Sequence, residues 1–325
     1  MNGEGSSLQA YAIGVDVGGT KIHAGIVNRQ GDVLYSVNLP TLAGQRSVPD
    51  RITEAIEALM AGAPQPEGGY PIQGIGIGTA GQVDHSDGSI RFASEILPGY
   101  TGVPLKRNIE ERFGLPVYVD NDVNVLVLAE KTLGTGRGAG HMLCITLGTG
   151  VGGAVFADGK LVYGAWGGAG ELGHLSVDFN GLPCVCGGVG CLEQYASGTG
   201  IAKRMQAKLH SLGIEPVSPV DSKETLFRWQ SGDPVAAEVM DETFAALGAA
   251  ITSLVHTLNP EVVVIGGGVA EAGEPFLERV REETAKRCMK SFMDSVRIVQ
   301  AHQGNFSGMI GAALQVFEPV KKLDS

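Results

Sequence analysis

Three of the chain's five cysteines lie within eight positions, in the stretch CVCGGVGCLEQ at residues 184–194. Their spacing, Cys184-x-Cys186-x4-Cys191, lacks the C-x-x-C pair of thioredoxin-like redox sites. Three thiolates are one ligand short of a tetrahedral zinc site, and the nearest suitable side chain is His174 in GGAGELGHLSV. The pattern therefore predicts that zinc is bound by Cys184, Cys186, Cys191 and His174.

Glycine is abundant, with 49 glycines among 325 residues, and it clusters at the ends of apolar runs. The clusters are IGVDVGGTK, IGIGTAG, ITLGTGVGG and VVVIGGGV. Because glycine lets a backbone turn tightly or approach a ligand, they predict loops around a phosphate-rich ligand; plain hairpin turns are the alternative. There is no GxxxxGK[ST] P-loop. A formal GxGxxG at 76–81 is followed by turn-like QVDHSDGS, which cannot open the helix that a dinucleotide site requires.

The stretch DVGGTK at residues 16–21 combines groups that suit a metal–phosphate complex. Asp16 ends a strand and can hold hydrated Mg²⁺, while the turn's N–H groups, Thr20 and Lys21 can bind phosphate. GTGVGG at 148–153 follows a second strand in the same way. We expect the two loops to grip one polyphosphate from opposite lobes.

In VYVDNDVN, residues 117–124, three polar residues follow an apolar strand and precede a helix. Helix capping alone explains one of them, because Asp and Asn are favoured N-caps. Three exceed what capping needs. A carboxylate at a strand's carboxyl end can accept a proton from a substrate hydroxyl, which is the second interpretation of this corner.

Two segments, 11–34 and 141–162, share one plan of strand, glycine-rich turn, strand, turn and strand. An offset of 128 places Gly25 on Gly153, which suggests two similar lobes. Elsewhere strands alternate with helical stretches, including 49–61, 104–113 and 235–258. The predicted fold class is α/β with mostly buried sheets.

Composition excludes several classes of protein. The net charge is −11 and no Lys/Arg cluster occurs, so a nucleic-acid partner is not expected. No apolar run is long enough to span a membrane. The residues after Met1 contain no signal-peptide pattern, and the crowded, odd cysteines favour a reducing compartment, so we expect a cytoplasmic protein.

The chain resembles the ROK (repressor, ORF, kinase) family, particularly its glucokinase-type sugar kinases. The resemblance runs from DVGGTK to SGMIGAAL, and its most specific element is GELGH followed by CxCGxxGCLE. It implies an actin-like (ribonuclease H-like) α/β fold with two lobes and a cleft between them. The lobes would be residues 1–120 with about 306–325, and residues 121–305 with the zinc-binding loop.

The resemblance also implies roles for individual residues. Asp122 would be the catalytic base that receives the proton of a hexose hydroxyl, most simply the 6-OH of glucose. The sugar would be bound by Gly81, Asn121, Asp122, Glu171, His174 and Glu193. The ATP site would be lined by Asp16, Gly18, Gly19, Thr20, Lys21, Thr149, Gly150, Gly152, Gly153, Gly266 and Gly267.

The implied ligands are a sugar, ATP, Mg²⁺ and a structural Zn²⁺, and the implied assembly is a homodimer or higher homo-oligomer. Departures from the family pattern lie near the sugar; one is Asp120, which replaces a frequent glutamate. They leave glucose, N-acetylmannosamine, N-acetylglucosamine and fructose as alternative substrates. A sugar-binding transcriptional regulator is the less favoured alternative function.

Overall fold

The computed structural model describes residues 10–64, 70–216, 218–302 and 306–318. They divide into two compact units. The first unit comprises the described residues up to Arg137, the segment Tyr163–Gly168 and the last helix. The second comprises Gly138–Val162 and the described residues from Ala169 to 302.

The elements alternate along the chain as the sequence pattern predicts. The strands are β1 (Tyr11–Val17), β2 (Lys21–Asn28), β3 (Val33–Pro40), β4 (Ile72–Thr79), β5 (Gln82–Val83), β6 (Ile90–Phe92), β7 (Val117–Asn121), β8 (Met142–Leu147), β9 (Val151–Ala157), β10 (Lys160–Leu161), β11 (Val262–Gly266) and β12 (Arg297–Gln300). The α-helices are α1 (Val48–Gly62), α2 (Leu105–Phe113), α3 (Asp122–Thr132), α4 (Leu192–Ala196), α5 (Gly198–Ser211), α6 (Ser222–Gln230), α7 (Pro234–Leu258), α8 (Glu274–Ala285), α9 (Lys290–Met293) and α10 (Ser307–Phe317).

Each unit is built on one five-stranded mixed sheet. In the first unit the order is β3-β2-β1-β4-β7, and in the second it is β10-β9-β8-β11-β12. The first three strands of each sheet form an antiparallel meander, while β4 and β7, like β11 and β12, continue the sheet in parallel. The predicted repeat of one supersecondary plan is thus present in both units.

The two meanders do not share a single offset. Val17 pairs with Ile22 across the first turn, whereas Leu147 pairs with Val151 across the second. The second turn is therefore shorter by one residue. An offset that aligns β2 with β9 misaligns β1 with β8, which explains the weak identity of the repeat.

Helix α3 belongs to the first unit, although the sequence-based division placed residues 121–305 in the second lobe. The reason is its packing on α10. A Cβ on Gly311 of α10 would lie 1.8 Å from the Val125 carbonyl oxygen of α3, so the two helices approach at backbone distance. The segment Tyr163–Gly168 also joins the first unit.

Each unit has a hydrophobic core of its own. In the first, the sheet packs on α1 through fully buried Ile13, Ile52 and Ile56. In the second, Phe244 of the long helix α7 belongs to a larger cluster, in which its ring contacts Phe276 of α8. No helix in the described ranges combines the length and apolarity needed to cross a membrane.

Candidate active site

The corner between β7 and α3 is held by Asn121. This residue is the N-cap of α3: its Oδ1 accepts the Val123 N–H at 2.9 Å, and its Nδ2 donates to the Gly81 carbonyl at 3.0 Å. Asp122, half-buried in the first turn, also accepts the Val123 N–H, at 3.0 Å. The capping interpretation therefore explains Asn121, and it leaves the Asp122 carboxylate at the positive end of α3.

Asp120 is the buried member of the corner, with 4% of its surface exposed. Its Oδ1 accepts the Asn121 N–H and the Asn124 side-chain amide, each at 2.7 Å. Its Oδ2 accepts the Tyr163 hydroxyl at 2.7 Å. Burial raises the pKa of Asp120, and the hydrogen bonds oppose that rise by favouring the carboxylate. Through these three hydrogen bonds, the buried Asp120 carboxylate connects Asn121, Asn124 and Tyr163.

Two residues of this corner were missed by sequence reasoning, Tyr163 and His85. Their rings stack in parallel, with centroids 3.7 Å apart and an angle of 16° between the planes. Neither belongs to a motif, and Tyr163 is 43 residues from Asp120 in the chain. Only the docking of a later segment onto the first unit brings them to the corner, so no local signal could have identified them.

The β1–β2 turn contains the predicted DVGGTK residues. The Gly18 N–H donates to the Lys21 carbonyl at 3.0 Å, and Lys21 is exposed. Gly19 is packed so closely that a Cβ would lie 2.2 Å from the Ile96 side chain. Thr20 is exposed at the tip of the turn. Close packing therefore requires glycine at position 19, whereas a Cβ on Gly18 would lie 3.4 Å from the Lys21 carbonyl oxygen.

Asp16 sits at the end of β1, below this turn. Burial and the negative charge of Asp122 raise the pKa of Asp16 from 3.8 to about 7, although Lys21 opposes the rise. The first turn of α10 is close, since a Cβ on Gly308 would lie 2.7 Å from the Asp16 carboxyl carbon. Two acids that disfavour each other's charge form a site whose energy a bound divalent cation would lower. A divalent cation would therefore suit Asp16 and Asp122 together.

In the second unit, the predicted glycines meet at the carboxyl ends of β8 and β11. Gly266 ends β11, and Gly267 follows it with a φ of +86°. A Cβ on Gly267 would lie 2.5 Å from the Leu147 carbonyl oxygen at the end of β8. Thr149 is exposed at the tip of the adjoining turn. The carboxyl ends of parallel strands are where α/β sheets bind ligands.

Glu193 of α4 contacts this glycine turn directly. Its Oε2 accepts the Val151 N–H at 3.1 Å, and a Cβ on Gly150 would lie 2.6 Å from the same oxygen. Gly152 pairs with Thr146 inside the meander. A residue predicted for the sugar thus touches the loop predicted for the nucleotide.

The GELGH stretch packs on β9 through its glycines. A Cβ on Gly170, whose φ is +97°, would lie 2.7 Å from the Gly153 carbonyl oxygen. A Cβ on Gly173 would lie 2.1 Å from the Val151 carbonyl oxygen. Glu171 is exposed and precedes the 3₁₀ turn Leu172–His174. Backbone contact therefore fixes Glu171 relative to the glycine turn.

The four predicted zinc ligands lie together in the second unit. The candidate ligand atoms of His174, Cys184, Cys186 and Cys191 all lie within 4.8 Å of one another. His174 Nδ1 is 3.7 Å from Cys184 Sγ, and Cys186 Sγ is 3.6 Å from Cys191 Sγ. Tetrahedral zinc with ordinary bond lengths requires such separations to be about 3.5–3.8 Å. The donor set therefore fits Zn²⁺.

Further contacts connect this Cys/His group to α4. Gln194 Nε2 donates to Cys184 Sγ at 3.5 Å, and the Gly188 N–H donates to Cys186 Sγ at 3.4 Å. Cys191 is the residue immediately before α4. Because Glu193 lies on α4, the Cys/His group and the glycine turn are connected through this short helix.

The structure thus gathers the predicted residues into two groups, one in each unit. Asp16, the β1–β2 turn, Gly81 and the Asp120–Asp122 corner lie in the first. The glycine turns, Glu171, Glu193 and the Cys/His group lie in the second. In the first unit Asp16 and the Asp120–Asp122 corner, and in the second the glycine turns, lie at the carboxyl ends of parallel strands, as in ligand-binding α/β proteins.

Comparison with known proteins finds relatives that match almost the whole chain. The ROK family model matches residues 12–318. The glucokinase of Thermotoga maritima is 37% identical over 95% of this chain and 98% of its own. The structure of a ROK family glucokinase from Streptomyces griseus, in complex with glucose and AMPPNP, matches with a TM-score of 0.80 and 33% identity, over 93% of this chain and 98% of that one.

Regulators of the family match as well. A putative xylose repressor from a Caldicellulosiruptor species is 34% identical over 88% of this chain and 73% of its own. The chain belongs to the ROK family. Its fold is the actin-like α/β fold of the family's sugar kinases, as the sequence predicts.

Proposed function

We propose that this chain is an ATP-dependent hexose kinase that converts glucose to glucose 6-phosphate, with Asp122 as the general base. The observation that carries the proposal is the Asp120–Asp122 corner. Asp120 and Asn121 hold the start of α3 in place, and Asp122 is left half-buried in its first turn. A carboxylate fixed in this way suits proton transfer from a bound hydroxyl, and the glucokinase relatives support the reaction class.

Asp122 aligns the sugar hydroxyl and takes its proton as the phosphoryl group is transferred. Phosphoryl transfer needs little covalent work from a protein, because positioning and charge neutralisation supply most of the rate. The Asn121 cap and the Gly81 contact keep the Asp122 carboxylate in one orientation. The N-terminal dipole of α3 favours the ionised carboxylate that a base requires.

The glycine turns bind the nucleotide in this proposal. The β1–β2 turn offers backbone N–H groups with Thr20 and Lys21, and the turn at 148–150 and Gly267 do the same in the second unit. Asp16 would hold Mg²⁺, which supplies charge neutralisation to the phosphates when bound. ATP as phosphoryl donor is supported by the AMPPNP complex of the Streptomyces griseus relative.

Glu171, His174 and Glu193, with Asn121 and Gly81, are the proposed sugar contacts. The oxygen and the nitrogen of the Asn121 side-chain amide both already form hydrogen bonds inside the protein. Asn121 would therefore bind the sugar through the second hydrogen of Nδ2. Zn²⁺, held by His174, Cys184, Cys186 and Cys191, would have a structural role and fix α4 against GELGH. It would take no part in the transfer.

A coupled ADP-release assay with a panel of hexoses tests the proposal. The panel contains glucose, fructose, N-acetylmannosamine and N-acetylglucosamine, each with Mg·ATP. Glucose is expected to give the highest kcat/KM, and ADP release with none of the sugars would refute the kinase. Sedimentation velocity tests the accompanying proposal of a homodimer or higher oligomer.

A sugar-responsive regulator is the second candidate, because the putative xylose repressor is nearly as similar as the glucokinase. The same assay separates the two functions when it is combined with calorimetry. A regulator would bind sugar without releasing ADP, whereas the proposed kinase releases ADP in proportion to the sugar consumed.

A further inference from the structure

The segment Tyr163–Gly168 is attached to the β5–β6 hairpin of the first unit. The Arg91 guanidinium lies over the Trp166 ring at 4.5 Å, a cation–π distance. Gly167 has a φ of +107°, and a Cβ there would lie 2.4 Å from the Val83 carbonyl oxygen. These contacts hold the segment, which has no role in the function proposed above, in one place.

Tyr163 is the residue of this segment that reaches the β7–α3 corner. Its ring stacks on His85, and its hydroxyl donates to Asp120 Oδ2 at 2.7 Å. Asp120 is 4% exposed, and its other oxygen is occupied by Asn121 and Asn124. Tyr163 therefore donates to the one oxygen of this carboxylate that α3 does not use.

We propose that Tyr163 is a positioning residue that acts on Asp122 through Asp120. Its hydroxyl contacts Asp120, and Tyr163 is not among the proposed substrate contacts. It orients the Asp120 carboxylate, whose other oxygen fixes the backbone N–H of Asn121 at the N-cap of α3. Asp122 is the next residue along the helix, so its orientation follows from that of the cap. This inference rests on the proposed kinase function.

Loss of the Tyr163–Asp120 hydrogen bond should have a larger effect than loss of an ordinary surface contact. A hydrogen bond to a buried carboxylate is stronger than a neutral one, and removing its donor leaves a desolvated charge. The carboxylate can recover only by turning toward other donors, which moves its contacts with Asn121 and Asn124. A displacement of about 1 Å at a catalytic group can slow a positioned reaction by about 10²-fold.

The variant Tyr163→Phe tests the proposal, because it keeps the stacked ring and removes only the hydroxyl. With glucose and Mg·ATP, kcat is expected to fall on the order of 10-fold. The KM values for both substrates are expected to stay within about twofold, since no proposed binding residue is changed. Tyr35→Phe is the matched control: Tyr35 lies on β3 of the same unit, and this variant should keep the wild-type kcat.

A double-mutant cycle tests whether Tyr163 acts through Asp120. Asp120→Asn should itself lower kcat, and Tyr163→Phe should then add little in that background. An equal 10-fold loss in both backgrounds would overturn the proposal. So would a wild-type kcat in Tyr163→Phe, or a fully active Asp120→Asn if Tyr163→Phe does not fold.

Amide hydrogen exchange gives a readout that needs no turnover. The Asn121 and Val123 amides at the start of α3 are expected to exchange faster in Tyr163→Phe than in the wild type, while α1 stays unchanged. Unchanged exchange at α3 would overturn the proposed positioning, whatever the activity. If the wild type shows no kinase activity, the proposed function fails, and exchange still decides the role of Tyr163.

Discussion

The two units share a strand order but hold their candidate site residues by different means. At the edge of the first sheet, Asp16 and Asp120 are carboxyl groups whose pKa values are raised by burial. At the edge of the second sheet, backbone meets backbone at Gly267 and Gly173. The first edge holds buried acids whose charge is disfavoured, and the second is shaped by close backbone contact.

This difference shows that the repeat preserves a scaffold and leaves the chemistry to vary. Asp16 lies just before the first glycine-rich turn, whereas the second turn has no acid of its own and its Val151 N–H donates to Glu193 of α4. The acidic edge suits a metal ion and a base, and the glycine edge suits uncharged backbone contact with phosphates. Substitutions at each edge should therefore fail in different ways.

The largest effect is expected at the acidic edge, from Asp122→Asn. Removing a general base should lower kcat by about 10²–10⁴-fold, while glucose still binds. Coupled ADP release gives kcat, and calorimetry gives the glucose affinity. Asp158→Asn, at the exposed β9–β10 turn with a φ of +50° that Asn tolerates, is the control and should be fully active. Near-normal turnover in Asp122→Asn would show that Asp122 is not the general base.

The second effect concerns folding stability, which the buried charge of Asp16 should lower. Its pKa is about 7 in the folded protein and 3.8 ordinarily, so the folded state binds the proton more tightly. Stability should therefore decrease as pH rises from about 4 to above 7, by on the order of 4 kcal/mol at most. Asp16→Asn lacks this loss and should gain stability relative to the wild type over the same window.

Urea unfolding at several pH values, without added divalent ions, measures this difference. Carboxyls other than Asp122, whose charge interacts with Asp16, titrate alike in both proteins, so the difference between the two curves reports the Asp16–Asp122 pair. Parallel curves for the wild type and Asp16→Asn would show that Asp16 is ionised at no cost. The acidic edge would then differ less from the glycine edge than the structure indicates.

Much of this contrast was predictable from the sequence, because at both edges an apolar strand leads into a glycine-rich turn. The β1 and β8 patterns predicted the strands, and the spacing of Cys184, Cys186 and Cys191 predicted the Cys/His group. These are local signals. Glycine spacing and strand period reflect the backbone of one stretch and need no knowledge of distant partners.

Contacts between distant segments could not be predicted in the same way. The Tyr163 hydroxyl reaches Asp120 only after the segment it belongs to is docked, and no residue type near Asp120 signals that partner. The placement of α3 in the first unit was missed for a similar reason. It depends on Gly311 of α10, which lies 186 residues beyond Val125 in the chain. The two helices can approach closely there only because glycine has no side chain.

The third effect tests the Cys/His group of the second unit. Cys186→Ser removes the exposed thiol of the group, so it should lower the zinc content without disturbing the core. Glucose affinity is expected to fall by on the order of 10-fold, because α4 and Glu193 lose their tie to GELGH. Metal analysis and calorimetry measure both quantities, and Cys288→Ser is the control. Full glucose affinity in a folded, zinc-free protein would contradict a structural zinc.

The last effect concerns the stability of the glycine edge, where the cost is steric and local. Gly267→Ala would place a Cβ 2.5 Å from the Leu147 carbonyl oxygen at a φ of +86°, so the turn must shift or accept strain. A loss of about 1–3 kcal/mol in unfolding free energy follows. Gly268→Ala, next in the chain, has no heavy atom within 4 Å of its Cβ and should change stability by about 0.5 kcal/mol or less. Equal losses of unfolding free energy in the two variants would mean that the loss comes from the intrinsic flexibility of glycine. A loss confined to Gly267→Ala would show that close backbone contact shapes the second edge, in contrast to the charges that shape the first.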